Sequence, residues 1–284
     1  MTKDFTPLFG AQHEARYLRR HLIDEYERRH NCRLIVMIDV IHADSVTYFA
    51  ELLHDANPKQ DLHLLLCSPG GDGEVAVRLA RLAQASCRRL CVVIPDIAKS
   101  AATILALGAH EIIMGPSSDL GPIDPQIFLP DRGFVSAKEI ITAVNSALSD
   151  VETRPNTDQI HAMLLGSGAI DASTFQFAQS ALGRTDDIAL QAVSANPERT
   201  QEEAAALAKR VTHQLVHDPR MHSAVVGATE AKAVGLPIRE LDAQCDDWQE
   251  IWRIWTRYFA LGGLRALSVY ESRAASQVMR VETE

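Results

Sequence analysis

Two short stretches of this chain carry residue types that can do chemistry together. Ser68-Pro69-Gly70-Gly71-Asp72-Gly73 follows the apolar run Leu62–Cys67, and Ala98-Lys99-Ser100-Ala101-Ala102-Thr103 follows the run Leu90–Pro95. Each reads as a buried strand running into a turn that opens a helix. A glycine-rich turn exposes backbone N–H groups, and a helix N-terminus favours negative charge. A serine on such a turn presents its Oγ outward, with the N–H of the next residue on the same side. Ser100 is therefore the candidate nucleophile. The N–H groups of Gly71 and Ala101 are candidates for an oxyanion hole, each worth roughly 3–4 kcal/mol in activation energy. Gly70 lines the substrate side, where a missing side chain permits close backbone approach.

The blander readings are equally concrete. Ser100 can simply cap its helix. The glycine pair can cradle a phosphate, but no Lys-Ser/Thr follows it and no GxGxxG occurs, which disfavours a P-loop or a dinucleotide fingerprint.

A serine nucleophile needs a base. Eleven histidines offer no well-placed partner: none falls about 25 residues after Ser100, where position 125 is a proline, and His110 closes the same short helix that Ser100 opens. Lysine is the alternative, provided burial lowers its pKa toward neutrality. There are six, at 3, 59, 99, 138, 209 and 232. Lys99 adjoins Ser100, but neighbouring side chains diverge. Lys138 heads the helix after the turn-rich loop Ser117–Pro125, a route back to the site.

The elements that must hold these residues alternate between strand and helix. An amphipathic helix is expected over Ala11–Arg29, with Ala11, Ala15, Leu18, Leu22 and Tyr26 on one face. Strands follow at Arg33–Ile41, Leu62–Cys67, Leu90–Pro95 and Glu111–Gly115. Between them lie helices at Asp44–Leu53 (capped by Asp44 or Ser45), Glu74–Ala85 and Ser100–Gly108. This alternation predicts a largely parallel sheet with helical cover. Ser136 can cap a helix over Ala137–Leu148. Beyond it, helices are expected at Asp158–Leu165, Ala172–Leu182, Asp186–Ala195 and Thr200–Val211. A short helix at 229–235 stops at Gly235 before an edge strand. The aromatics Trp248, Trp252, Trp255 and Phe259 share one face of a last helix from Asp246 to Gly262, expected to pack on the body or on another subunit. A membrane-surface helix is opposed by Asp246, Asp247 and Glu250.

Bulk composition bounds the function. The chain has 284 residues, 46% hydrophobic and 23% charged, with a formal net charge of −9. That is a globular balance, and its sign disfavours nucleic acid as a partner. The five cysteines show no zinc or CxxC spacing and lie in or beside apolar runs, which fits buried thiols in a reducing cytoplasm. No run approaches the ~20 apolar residues of a membrane span, and Met1–Phe5 lacks a secretory apolar core. A cytoplasmic protein without a transmembrane segment is expected, with a membrane-associated partner left open.

The two signatures, together with Leu107-Gly108-Ala109-His110-Glu111-Ile112-Ile113-Met114 and Leu120-Gly121-Pro122-Ile123-Asp124-Pro125-Gln126, resemble the serine dehydrogenase proteinase family. That family belongs to the Clp protease/crotonase-like superfamily and is related to signal peptide peptidase A. The resemblance is dense over residues 62–126 and returns at Glu230–Pro237. It implies a ββα spiral fold, homo-oligomers, a peptide or protein substrate, and ATP-independent endopeptidase chemistry by a Ser–Lys dyad. In it Ser100 matches the nucleophile, and Gly71 and Ala101 match the oxyanion positions. Lys138 follows Ser100 by 38 residues, a spacing similar to that of the dyad in the signal-peptide-peptidase relatives. Ala101-Ala102 departs from the Gly-Gly of better-studied relatives and narrows the floor of the site. Despite the family's name, no pyridoxal phosphate site is evident, so neither a cofactor nor a metal is expected. The expected division is a protease domain at 1–240 and a helical extension at 241–284 serving as an oligomer contact. Two rivals remain: a crotonase-type acyl-CoA enzyme using Asp119 or Asp124, and a non-catalytic oligomeric scaffold.

Overall fold

Four apolar runs become the central strands of one sheet. In the computed structural model, which describes residues 6–130, 132–153, 170–217 and 225–280, β1 (Cys32–Ile38), β2 (Asp61–Cys67), β3 (Leu90–Ile94) and β5 (Glu111–Met114) lie side by side and parallel. Most of their residues are buried. Strands covered on both faces need apolar residues at successive positions, which is why these runs do not alternate. The short β9 (Ile238–Glu240) pairs parallel with β5 at one edge. At the other edge β10 (Leu267–Ser272) runs antiparallel to β1, and β11 (Ser276–Arg280) antiparallel to β10. The order across the sheet is β11-β10-β1-β2-β3-β5-β9.

Helices cover both faces. On one side α1 (Pro7–His30) and α9 (Asp246–Leu261) pack Leu22, Ile23, Tyr26, Trp248, Ile251, Trp255 and Tyr258 onto the sheet. On the other lie α2 (Ser45–Leu52), α3 (Gly73–Ala85), α4 (Ala101–Leu107), α6 (Ala172–Val193), α7 (Gln201–Thr212) and α8 (Ala228–Val234). Between α4 and α6 the chain forms the β7–β8 hairpin (Gln126–Leu129, Gly133–Ser136) and α5 (Ala137–Thr153). The molecule is thus mixed α/β with a mostly parallel sheet, as the strand–helix alternation predicts. Among the described residues no helix is long and apolar enough to cross a membrane.

Several local expectations change. The apolar stripe of α1 is buried only from Arg19 onward; Ala11, Ala15 and Leu18 are exposed. Helix α6 runs unbroken where two helices were expected, because a lone Gly183 costs a helix only about 1 kcal/mol and Thr185 is buried in the packing. The helix expected at Asp158–Leu165 lies outside the described residues. Ser45 does not cap α2 with its side chain: its Oγ accepts the His42 N–H at 3.0 Å and the Tyr270 hydroxyl at 2.8 Å. On α9, Trp248 and Trp255 are buried, whereas Trp252 and Phe259 face outward.

Among its described residues, 241–280, the stretch expected as a helical extension contains one helix and two strands, and β10 is paired directly to β1. The strand escapes a reading of the sequence because it carries a charge inward. Glu271 is fully buried and accepts from Arg16 and Arg19 of α1, from Tyr258 of α9 and from Ser276, at 2.6–3.0 Å. A buried carboxylate persists only when paired and hydrogen-bonded, and its two arginine partners here come from the far end of the chain.

The end of β2 is held by a cap. Asp72 Oδ1 accepts the N–H groups of Glu74 at 2.8 Å and Val75 at 3.2 Å, closing the first turn of α3. Asp72→Ala is expected to lower stability by about 1 kcal/mol and Asp72→Asn by much less, read as urea midpoints. Equal midpoints for Ala and wild type would refute the cap.

Candidate active site

The second signature forms a sharp elbow. After β3 the chain makes the two-residue β4 (Ile97–Ala98), bridged to Ser68: Ser68 N–H donates to Ile97 O at 2.9 Å and Lys99 N–H to Ser68 O at 3.0 Å. Ser100 then takes φ 50° and ψ −116°, and α4 begins at Ala101. Such a conformation in a non-glycine residue costs about 1–3 kcal/mol and persists only where its surroundings over-determine it. Here Ala102 N–H closes onto Lys99 O at 2.9 Å and Ile104 N–H onto Ser100 O at 3.1 Å. The Thr103 hydroxyl lies 2.7 Å from Ala98 O and 3.0 Å from Gly121 O, and accepts the Gly121 N–H at 3.2 Å. Ser100 makes no side-chain cap, so the capping role open from the sequence is not the one it has.

The glycine turn packs against this elbow. Gly70 and Gly71 have φ 114° and 135°. A Cβ on Gly70 would stand 2.8 Å from Ser100 Cβ and 2.9 Å from Lys99 O; one on Gly71 would stand 2.1 Å from Ile41 O. The two signatures touch because Gly70 has no side chain, and the turn closes on Ile41 because Gly71 has none. Gly70 O accepts the Ile41 N–H at 2.7 Å, and Asp72 N–H donates to Ile41 O at 2.8 Å. In a trans peptide the C=O and the following N–H point oppositely, so the Gly71 N–H is directed away from Ile41. Among the described residues, neither the Gly71 nor the Ala101 N–H has an acceptor.

Gly71→Ala is expected to destabilise the protein by about 3–5 kcal/mol through backbone strain and overpacking. Gly183→Ala, with nothing within 4 Å of the added methyl, should instead stabilise by up to about 1 kcal/mol. Urea unfolding of the two variants tests this; an unmoved midpoint for Gly71→Ala would show that the approach to Ile41 is looser.

Of the candidate site residues, Gly70 packs against Ser100 and Ala101, and Gly71 is the next residue of the same turn. Lys138 comes from a separate element. It sits in the first turn of α5, where its Nζ donates to the His217 carbonyl. The loop before α5 links that turn to the elbow: Gly121 packs on Lys99 and Thr103, Ile123 N–H donates to Leu215 O at 2.9 Å, and Ala137 N–H to Pro125 O at 2.9 Å. This loop is less irregular than its turn formers suggest, because Asp119–Leu120 (β6) pairs parallel with β4. Lys99 Nζ forms an ion pair with Asp119 Oδ2 and lies 3.5 Å from Leu120 O. Asp124 is buried and accepts from the Gln126 amide at 3.1 Å. The carboxylates that an acyl-CoA enzyme would need are thus engaged with Lys99 and Gln126.

The sequence reading missed the Asp72 cap and the partner role of Ile41. The first had a visible signal, an aspartate just before an amphipathic helix. Ile41 had none, since it pairs with Gly71 from beyond the end of β1. All five cysteines are free; burial pushes the Cys67 thiol up to about 12 and the Cys87 thiol up to about 11, as expected of inert thiols.

Comparison with known proteins gives a match at the family level. Uncharacterized protein MJ0137 of Methanocaldococcus jannaschii is 34% identical over 96 residues, covering 34% of this chain and 32% of that protein. Uncharacterized protein MJ1495 of the same organism is 27% identical over 125 residues, covering 38% of this chain and 42% of that protein. The matches therefore span less than half of either relative's length. The model of the ClpP-like SDH-type serine proteinases matches residues 6–152, more than half of the chain, a span that includes the elbow, the glycine turn and Lys138. With the strained serine and its flanking N–H groups in view, this match places the chain in the ClpP-like SDH-type serine proteinase family.

Proposed function

We propose that the protein is a serine endopeptidase that cleaves peptide or protein substrates without ATP, using a Ser100–Lys138 dyad and a backbone oxyanion hole. The observation that carries this reading is the Ser100 elbow: a strained serine without a cap bond, pressed against Gly70, with undonated N–H groups on the next residue, Ala101, and on the glycine turn at Gly71. In the acylation step Ser100 Oγ bonds to the scissile carbonyl carbon while the Lys138 amine takes its proton. The carbonyl oxygen becomes an oxyanion held by the Gly71 and Ala101 N–H groups. Collapse breaks the C–N bond, and the lysine proton goes to the departing amine. Water then repeats the sequence on the acyl-enzyme and restores the hydroxyl. Gly70 leaves room for the substrate backbone beside the nucleophile. Homo-oligomerisation and a cytoplasmic setting belong to the same reading, supported respectively by the exposed Trp252 and Phe259 and by the five free thiols.

The test is a fluorophosphonate probe followed by peptide mapping. A single adduct on the peptide containing Ser100 is the expected result. An adduct elsewhere, or none on folded protein at millimolar probe, would overturn the assignment.

A further inference from the structure

The geometry points to Asp119 as a positioning residue that holds the Ser100 elbow in its reactive shape, acting through Lys99. Asp119 lies on β6, parallel to β4, and its carboxylate is engaged on both oxygens. Oδ2 pairs with the Lys99 ammonium, and Oδ1 accepts the Val226 N–H at 3.0 Å. Its own N–H donates to Asp96 O at 2.7 Å, and the next residue, Leu120, exchanges two 3.0 Å backbone bonds with Val226. The residue is therefore anchored to two backbone segments, one of them through its carboxylate, before it meets the lysine. The Lys99 stem lies flat on Gly121, where a Cβ would stand 2.5 Å from Lys99 Cδ and 3.2 Å from its Cα. The side chains of Lys99 and Asp119 are only 18% and 17% exposed, so water competes weakly for the pair.

The physical consequence lies in the strain at Ser100. Residue 100 relaxes if its neighbours let go, because ordinary helical or extended angles are lower in energy for a serine. Relaxation would turn both the Ser100 Oγ and the Ala101 N–H off their lines. Lys99 is the last fixed residue before the strained one. Its N–H is tied to Ser68 O, its C=O receives Ala102 N–H, and its side chain is clamped by Asp119 and Gly121. The ion pair thus closes the one part of Lys99 that the backbone ladder leaves open. It also accounts for a lysine beside the nucleophile that is not its base.

This inference rests on Ser100 as the nucleophile, and its test separates the two. Asp119→Asn keeps an oxygen for Val226 N–H and removes the charge, while Lys99→Met keeps the stem on Gly121 and removes the ammonium. Each is expected to lower kcat and the rate of phosphonylation roughly 10- to 100-fold, with KM little changed, as for a displaced reacting group. The double variant should be no worse than either single one. Lys99→Arg, which retains the pair, should recover most of the loss. Additive losses, or singles within twofold of wild type, overturn the inference. So does a Lys99→Arg enzyme as inert as Lys99→Met, which would give the amine a proton-transfer role.

Amide hydrogen exchange supplies a readout that needs no turnover. Both single variants should speed exchange at Ala102 and Ile104, whose bonds close the elbow, by about tenfold or more, leaving β2 protected. Unchanged exchange overturns the inference even if the wild type proves inert. Accelerated exchange in the variants, alongside a wild type that takes no probe, would instead sustain the clamp and sink the nucleophile.

Discussion

Ser100→Ala is expected to lower kcat by about 10⁴- to 10⁶-fold and to abolish phosphonylation, with KM for a peptide substrate nearly unchanged. The magnitude is that of removing a serine nucleophile that works as a unit with its base. The side chain makes no cap bond, so its loss leaves no broken structural contact behind. A second variant separates chemistry from fold. At φ 50° and ψ −116° an alanine keeps the strain, whereas glycine is at ease there. Ser100→Gly should therefore be as inactive as Ser100→Ala but more stable by about 1 kcal/mol, seen as a higher melting temperature. Equal stabilities for Gly and Ala would mean that the elbow is unstrained, and residual activity above one part in a thousand would point to another nucleophile.

Lys138→Ala is expected to reduce kcat and the phosphonylation rate by about 10²- to 10⁴-fold, the usual contribution of a general base. The decisive companion is Lys138→Arg. A guanidinium can donate to the His217 carbonyl as the lysine does, but it does not give up its proton. If Lys138 serves only to fasten α5 to the 213–217 segment, Arg restores what Ala removes. If Lys138 is the base, both variants are equally slow although Arg regains the thermal stability. Labelling of Lys138→Ala within threefold of wild type would remove this lysine from the mechanism.

The largest difference between the expected and observed site lies in what stands around the two signatures. Strand–turn–helix units at 62–85 and 90–107 were legible because a buried parallel strand must be apolar at successive positions, and a glycine pair or a serine marks the turn that follows. The β7–β8 hairpin was not legible: Phe128 and Phe134 are exposed and stack edge to face, so apolar residues on the outer face mask the inward alternation of Ile127 and Leu129. Strand β10 was hidden by Glu271, whose burial is tolerable only because two arginines of α1 reach it. Lys99 illustrates the same limit within the site. Its proximity to Ser100 in sequence made it a rival base; its engagement with Asp119, on a strand that forms only when β4 is in place, is a matter of tertiary pairing.

By itself, then, the sequence determined the units whose causes are local: the four central strands, the glycine turn, the serine that opens α4, and the candidate donors Gly71 and Ala101. Their spacing also carried the resemblance to a serine proteinase family that the match over residues 6–152 bears out. Only the tertiary structure decided how those units meet. Ile41 takes up Gly70 O and leaves the Gly71 N–H pointing away, the missing side chain of Gly70 lets the turn close onto Ser100, and Asp119 pairs with the Lys99 ammonium. The reason is range. Turn and strand propensities act over a few residues, whereas the orientation of an N–H group or the partner of a charge is set by segments that become neighbours only when the sheet is assembled.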